Sequence, residues 1–376
     1  MFYKNARIFC DDFHFHVGAF SVKDGVFDAV LPDAAPEDAV DLQGATVIPG
    51  LVEVHSHGAM GADFSDGDWE GLKTMAAFYA GEGVTSFVPA SMSLPCEALQ
   101  AAFANARRFV REEIPGLAVL RGIHMEGPYF SQAKRGAQNA QYLKAPDFAE
   151  FQALFAGCEG LIRIVDVAAE LPGAAEFVER ACRLCTVSLA HTDGDYQQAK
   201  AAFDAGATHL THLYNAMPPI HHRQPGVIGA AAENPNVRAE LICDGYHVHP
   251  SAVRLAFAMF KDRVVLISDS GRCAGMAEGS QFALGGQWGW LRDGVGRLAD
   301  GTIACSAASL WKCLTNALSW GILEEDVIRA ATYNPACAIG ADDVVGSIAP
   351  GKRADFIICS PDYRTKQVFL AGKALE

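Results

Sequence analysis

Residues 47–58 read Val-Ile-Pro-Gly-Leu-Val-Glu-Val-His-Ser-His-Gly, an apolar run that closes on two histidines one residue apart. The run 47–57 reads as a strand, and side chains two apart on a strand point the same way, so His55 and His57 share a face. Seven more strand-like runs follow, at 85–89, 118–126, 162–167, 186–191, 208–212, 239–243 and 264–269. Helix-like stretches separate them, among them 69–80, 97–111, 196–205 and 251–260. Strands alternating with amphipathic helices are the mark of βα units. Eight of them over roughly 220 residues are what a (β/α)8 barrel requires.

Both chain ends break this rhythm. The first stretch, up to residue 45, alternates short apolar segments with Gly, Asp and Pro turns, which reads as antiparallel β structure. Segments 355–358 and 367–370, followed by Ala371-Gly372-Lys373, read the same way. The expected fold class is α/β: a TIM-type barrel over residues 47–345, carrying a small β-sandwich-like domain built from residues 1–46 and 346–376.

The bulk numbers restrict the function. The 376 residues carry a formal net charge of −14, which argues against nucleic acid as partner because phosphate-backbone binding needs a basic face. A local pocket can still be positive on an acidic protein, so a small anionic substrate remains compatible. The segment Met-Phe-Tyr-Lys-Asn-Ala-Arg-Ile-Phe-Cys-Asp-Asp at the start has no basic segment leading into an apolar one, and no apolar run approaches the ~20 residues that span a membrane. The 11 cysteines are scattered and odd in number, which fits buried thiols in a reducing cytoplasm rather than a disulfide framework. Cys182 and Cys185 form a CxxC and are read the same way.

Five of the eight runs end in residues that bind metals or move protons: His55 and His57; His124 and Glu126; His191; His209 and His212; and Asp269. In a TIM barrel the C-terminal strand ends converge on one mouth. Imidazoles and a carboxylate gathered there make a nitrogen/oxygen site suited to Zn²⁺, Fe²⁺ or another divalent transition metal. A single buried histidine is more often a satisfied core residue than a ligand, but here five strand ends would have to coincide by accident. His14 and His16 provide an internal contrast: they lie in the terminal β region without a following Glu, His or Asp at barrel spacing, and read as structural. Asp269 is the candidate for proton transfer, since a carboxylate beside an activated water takes its proton and delivers it to a departing amine. The loops after the sixth and seventh strands add Asn215, His221, His222, Arg223 and His247, a reasonable clamp for a phosphate or carboxylate.

With these residues in view, the chain resembles the N-acetylglucosamine-6-phosphate deacetylases of the amidohydrolase superfamily over nearly its whole length. The segments that carry the resemblance are PGLVEVHSHG, HMEGPYFSQAKRGAQN, AHTDG, THLYNAMPPIHHRQPG, DGYHV, ISDS and GSIAPGKRADF. HMEGP, THLYNAM and HHRQPG are the family-specific ones. The resemblance implies that Glu126, His191 and His212 are metal ligands and that Asp269 is the catalytic acid/base. His55 and His57 match an HxH that lets some members hold a second metal, which implies one or two ions per subunit, Zn²⁺ or Fe²⁺, with Glu126 bridging. Asn215, Ala216, Arg223 and His247 match positions that hold the sugar phosphate, while Ala137 and the Ala307-Ala308 loop match further substrate-contacting stretches. It also implies a homodimer in which the Arg223 segment reaches into the neighbouring subunit's site.

Three places depart from the family pattern. Gln138 stands in Arg135-Gly136-Ala137-Gln138-Asn139 where the family commonly has KGxHN, whose histidine helps polarise the substrate carbonyl. Losing such a donor costs on the order of 2–4 kcal/mol of transition-state stabilisation where nothing compensates. Ser270-Gly271-Arg272-Cys273 follows Asp269 where Ala-Met or Ala-Thr is common, and Cys305-Ser306 replaces a usual Gly-Ser. All three are expected beside the substrate rather than on the metal, and bear on the sugar more than on the reaction.

The expected activity is hydrolysis of N-acetylglucosamine 6-phosphate to acetate and glucosamine 6-phosphate. The rivals are the galactosamine epimer, another anionic amide, and a non-catalytic scaffold, which would usually have lost ligands or the catalytic Asp. A binuclear phosphodiesterase-like hydrolase usually bridges its metals with a Lys on the fourth strand, and the run 162–167 has none.

Overall fold

Eight parallel strands form the centre of the molecule: β1 (Leu51–Ser56), β2 (Val84–Pro89), β3 (Ile123–Met125), β4 (Ile162–Val167), β5 (Thr186–Leu189), β6 (His209–Leu210), β7 (Arg238–Ile242) and β8 (Val264–Ile267). The structure, a computed structural model, describes residues 1–112, 114–284 and 287–375. β1 pairs with β2, and β3 to β8 pair in sequence order. Two seams join these sheets into a ring, where Ala90 bridges His124 and Ser56 bridges Ser270. At the second seam the Asp269 N–H donates to the His55 carbonyl at 3.0 Å and the His57 N–H to the Ser270 carbonyl at 2.7 Å. The closure of the barrel therefore runs through the residues that end its first and last strands.

Several expected strands are shorter than their apolar runs. The run 47–57 divides at Gly50, where a Cβ would lie 2.2 Å from Thr85 Oγ1. Thr46–Pro49 belongs to the terminal sheet, and β1 starts at Leu51. The run 118–126 divides near Gly122, whose Cβ would meet the Leu161 carbonyl at 2.8 Å; Val119–Leu120 pairs with β2 and β3 with β4. The runs 186–191 and 208–212 stop early because His191 and His212 adopt left-handed backbone, at φ 44° and 30°. Hydrophobic pattern marks burial, and these breaks are set by close approach and by the demands of the strand ends.

The expected helices form as Trp69–Gly81, Cys96–Glu112, Tyr196–Asp204 and Pro250–Phe260. Their start signals are local. Asp68 accepts from the Gly71 N–H, and Asp195 forms a reciprocal box with Gln198, satisfying donors that the first turn leaves open. Among the described residues no helix is long and apolar enough to cross a membrane.

The chain ends make one eight-stranded sheet, ordered Lys373–Ala374, Lys366–Leu370, Phe356–Cys359, Thr46–Pro49, Phe2–Phe9, Phe15–Lys23, Val26–Val30, with Val40–Asp41 beside Phe2–Phe9. Val26–Val30 and Phe356–Cys359 are four steps apart, about 19 Å in a flat sheet. Yet the rings of Phe27 and Phe356 lie 5.9 Å apart, so the sheet rolls until its two halves face each other. Phe356 also meets Tyr3, Phe20 and Phe369, at 5.7, 5.2 and 4.3 Å. This aromatic knot supplies the face-to-face packing expected of a sandwich. Phe356→Ala is expected to cost about 3–5 kcal/mol, read as a lower urea midpoint. An unchanged midpoint would show that the knot contributes little.

An antiparallel sheet of Gln281–Leu284, Gln287–Arg292, Val295–Leu298 and Ile303–Ser306 follows β8. By sequence this stretch reads as part of the barrel over residues 47–345. A signal was present in Asp293-Gly294, whose φ values of 53° and 74° suit the tight hairpin turn that such a pair favours.

Candidate active site

The strand ends converge on a cavity of about 180 Å³ lined by His57, Met92, Glu126, Gly136, Ala137, Gln138, His191, His212, Asn215, Ala216, His247, Asp269, Ile303 and Ala304. Glu126 lies at its centre. One oxygen, Oε1, stands 3.1 Å from His191 Nε2 and 3.3 Å from His212 Nε2, while Oε2 stands 3.1 Å from His57 Nε2. His55 Nε2 is 3.7 Å from both Glu126 Oε1 and Asp269 Oδ1, and His57 Nε2 is 3.6 Å from Asp269 Oδ1. Three groups able to hold a metal result: Glu126–His191–His212 and His55–His57–Glu126, which share Glu126, and a third, His55–His124–Glu240.

The hydrogen bonds around these rings fix where their lone pairs point. The Lys134 carbonyl can only accept, so His191 Nδ1, 2.8 Å away, carries the proton. In the neutral ring Nε2 is then a lone pair, and it faces Glu126 Oε1 and, at 3.1 Å, His212 Nε2. By the same reasoning His55 Nδ1 donates to the Glu240 carboxylate at 2.8 Å, and its Nε2 is buried without a hydrogen-bond partner. Lone pairs crowded together in this way repel unless a cation or a proton lies among them. Protons alone answer the charge as follows: burial disfavours the imidazolium of His57 and His212, but Glu126 outweighs it and raises both to about 9. Burial pushes the Glu126 carboxyl up, and His57, His191 and His212 overcome this to hold it well below the usual range. The donor set, nitrogen and carboxylate oxygen, fits a divalent transition metal.

Beneath the cluster lies a buried polar layer that the sequence did not reveal. Glu240 on β7 takes His55 Nδ1, His209 Nε2 at 3.1 Å and the His212 N–H at 3.2 Å. Glu53 on β1 accepts the His55 and Ser268 N–H groups, both at 3.0 Å, and burial pushes its carboxyl up to about 8. His124 donates to the Val54 carbonyl and to Asp166, each at 3.0 Å, so both nitrogens are occupied and it faces the core rather than the cavity. Glu53 and Glu240 sit in otherwise apolar strand runs. The signal that could have found them is a lone acid inside a buried strand run, since such an acid needs a partner.

The remaining candidates divide. Gln138 is buried, and its orientation is fixed because the Ser93 N–H must face its oxygen (2.8 Å), which turns Nε2 towards Glu126 Oε2 (2.9 Å). Its amide thus engages the carboxylate at the cluster's centre. The His247 imidazole is held by Asp244 at 2.7 Å, and Asn215 donates to the carbonyls of His212 and Leu213, both at 3.3 Å. Ala216, at φ 53°, brings its backbone to the cavity wall. Ala137 lines the cavity, and its carbonyl accepts from Gln287 at 2.9 Å. Arg223 is exposed and lies off the cavity wall, as do Ala307 and Ala308, whose place is taken by Ile303 and Ala304. Two departures from the family pattern meet: Cys273 and Cys305 are buried with their sulfurs 3.6 Å apart. His16 binds Asp12 at 2.7 Å in the terminal sheet.

The amidohydrolase family model matches residues 46–375. The chain is 34% identical to the N-acetylgalactosamine-6-phosphate deacetylase of Escherichia coli O157:H7, covering 94% of this chain and 93% of that protein. It is 36% identical to the N-acetylglucosamine-6-phosphate deacetylase of Bacillus subtilis, covering 87% and 82%. Among solved structures, the N-acetyl-D-glucosamine-6-phosphate deacetylase of Mycobacterium smegmatis, an Asp-to-Ala mutant in complex with N-acetyl-D-glucosamine-6-phosphate, superimposes with a TM-score of 0.93 at 30% identity, covering 100% and 99% of the two chains.

Proposed function

The chain belongs to the amidohydrolase family, and from that premise we propose that it hydrolyses the acetamide of N-acetylglucosamine 6-phosphate to glucosamine 6-phosphate and acetate. The observation that carries the reading is the convergence of Glu126, four imidazoles and Asp269 on a cavity whose wall also includes His247 and Asn215. Glu126, His191 and His212 would hold one divalent ion, and His55, His57 and Glu126 a second. Such an ion, when bound, activates water and polarises the amide carbonyl.

The chain's own residues do the rest. Asp269 lines the cavity with Oδ1 3.7 and 3.6 Å from the His55 and His57 rings, so it takes the proton of the attacking water and passes it to the sugar nitrogen as the C–N bond breaks. Gln138 fixes the Glu126 carboxylate, which leaves its second amide hydrogen for the substrate carbonyl. His247 and Asn215 bind the sugar phosphate at a distance from the scissile bond, contributing binding energy that positions the amide. Asp244 orients the His247 ring for this task. We assign the enzyme to the cytoplasm, as a homodimer in which the exposed loop bearing Arg223 completes the phosphate site of the other subunit. We also read residues 1–46 and 346–376 as one structural unit and 47–345 as the other.

The test is acetate release by metal-reconstituted protein from N-acetylglucosamine 6-phosphate, its galactosamine epimer and the unphosphorylated sugar. Fast turnover of the first supports the proposal. A preference for the epimer, which the similarity to the Escherichia coli deacetylase favours as a second reading, would keep the chemistry and change the sugar. No turnover of any of the three would overturn both. His247→Ala is expected to raise KM for the phosphorylated sugar about 10- to 100-fold, as loss of a charge-assisted hydrogen bond of 1.5–3 kcal/mol would. Its turnover of the unphosphorylated sugar should change little; an equal loss on both substrates would remove His247 from the phosphate site.

A further inference from the structure

We propose that a second cavity, at the opposite end of the barrel, binds a small phosphate-bearing anion. It measures about 660 Å³ and is lined at the strand starts by Thr186, the first residue of β5, and Arg238, the first residue of β7. This is the N-terminal face, far from the mouth at which the strands end.

Its charge runs against that of the whole chain. Arg238, Arg263 and Arg329 line it beside one acid, Asp262, with Asp326 near Arg329, in a protein of net charge −14. The three arginines differ in what holds them. Arg263 is a structural group, since it donates to the carbonyls of Ala231, Ala232, Asn234 and Val237 around the end of one helix. Arg329 reaches Asp262 at 3.3 Å through one terminal nitrogen, while its Nε is buried without a partner. Arg238 makes no side-chain hydrogen bond or ion pair among the described residues. A guanidinium left unpaired in a polar cavity beside a second, half-satisfied one is an arrangement that suits planar oxyanions.

His209 also lines the wall, with its Nε2 taken up by Glu240 Oε1 at 3.1 Å and its Nδ1 buried. Guanidinium donors in such a polar cavity match a molecule carrying anionic oxygens. Inorganic hydrogen phosphate and a sugar phosphate both have this chemistry. The volume admits either. The inference is independent of the reaction assigned to the mouth.

The experiment is a calorimetric titration of the full chain with inorganic phosphate and, separately, with glucose 6-phosphate, which lacks an acetamide. Wild type is expected to show two classes of site. His247→Ala should weaken one class, and Arg238→Ala should weaken the other at least tenfold, with Arg238→Lys retaining part of it. Tighter binding of phosphate or of the sugar phosphate to the Arg238 class identifies which source fits. A single class in wild type, or an Arg238→Ala isotherm equal to wild type, overturns the proposal; so does a variant that loses thermal stability yet keeps both classes. Should Arg238→Ala fail to fold, a phosphate-soaked crystal of the wild-type protein decides. Density beside Arg238 supports the site, and density confined to the mouth refutes it.

Discussion

Asp269→Asn is expected to lower kcat for the acetylated sugar phosphate by about 10²- to 10⁴-fold, the usual contribution of a positioned acid/base, with KM little changed. The exchange keeps the side chain's shape and removes its ability to accept a proton. The backbone around it should stay in place, because the Asp269 N–H is bound by His55 and its carbonyl by the Ser306 N–H, at 3.0 and 2.9 Å. Its Oδ1 also stands 3.6–3.7 Å from His57 and His55, so the carboxylate contributes charge to the cluster as well. Metal content measured on the same sample separates these roles. A loss of turnover at full metal occupancy belongs to proton transfer, whereas a loss in proportion to lost metal would make Asp269 a ligand instead. Turnover within about a factor of ten of wild type would end the acid/base assignment.

Glu126→Gln should be as damaging by another route. Both oxygens of Glu126 face imidazoles, and the substitution exchanges one of them for an N–H₂ group that can only donate. Neither metal group would keep its shared anion, so activity should fall to background and bound metal should be lost. Stability provides a readout that does not depend on turnover. An ion at 100 times its Kd stabilises the folded wild type by about 2.7 kcal/mol, so Tm should rise on adding Zn²⁺ or Fe²⁺ and fall with a chelator. Glu126→Gln should show neither response. A variant that binds metal with wild-type stoichiometry would place the ion elsewhere.

Much of this site could be read before any coordinates, for a definite reason. Residues that must reach the mouth sit at strand ends, and His55, His57, Glu126, His191, His212 and Asp269 close apolar runs in the sequence. The same rule located the barrel, because its eight strands are too buried to carry polar residues casually. Residues that act from beneath were less legible. Glu240 and Glu53 hold the ligands from inside the barrel, where one acid in a strand says only that it needs a partner. The partners come from β6, β8 and β1, and pairing across a closed ring is not visible along the chain. The sheet after β8 was missed because no element was assigned between residues 269 and 355 and the stretch was taken into the barrel's bounds. Arg223 was expected to hold the phosphate by resemblance, and within one subunit it faces solvent.

The rolled terminal sheet sets an order of events during synthesis. Its middle joins Thr46–Pro49 to Phe356–Cys359, so two strands separated by more than 300 positions are immediate neighbours. While the ribosome makes the intervening barrel, Thr46–Pro49 presents an open edge, and Phe20 and Phe27 lack the ring of Phe356 that covers them in the finished fold. The nascent chain thus carries an adhesive flank for most of its translation. The segment beginning at Phe356, although far from any chemistry, acts as the closing clasp, and its removal should show its effect first as aggregation during expression rather than as altered kinetics.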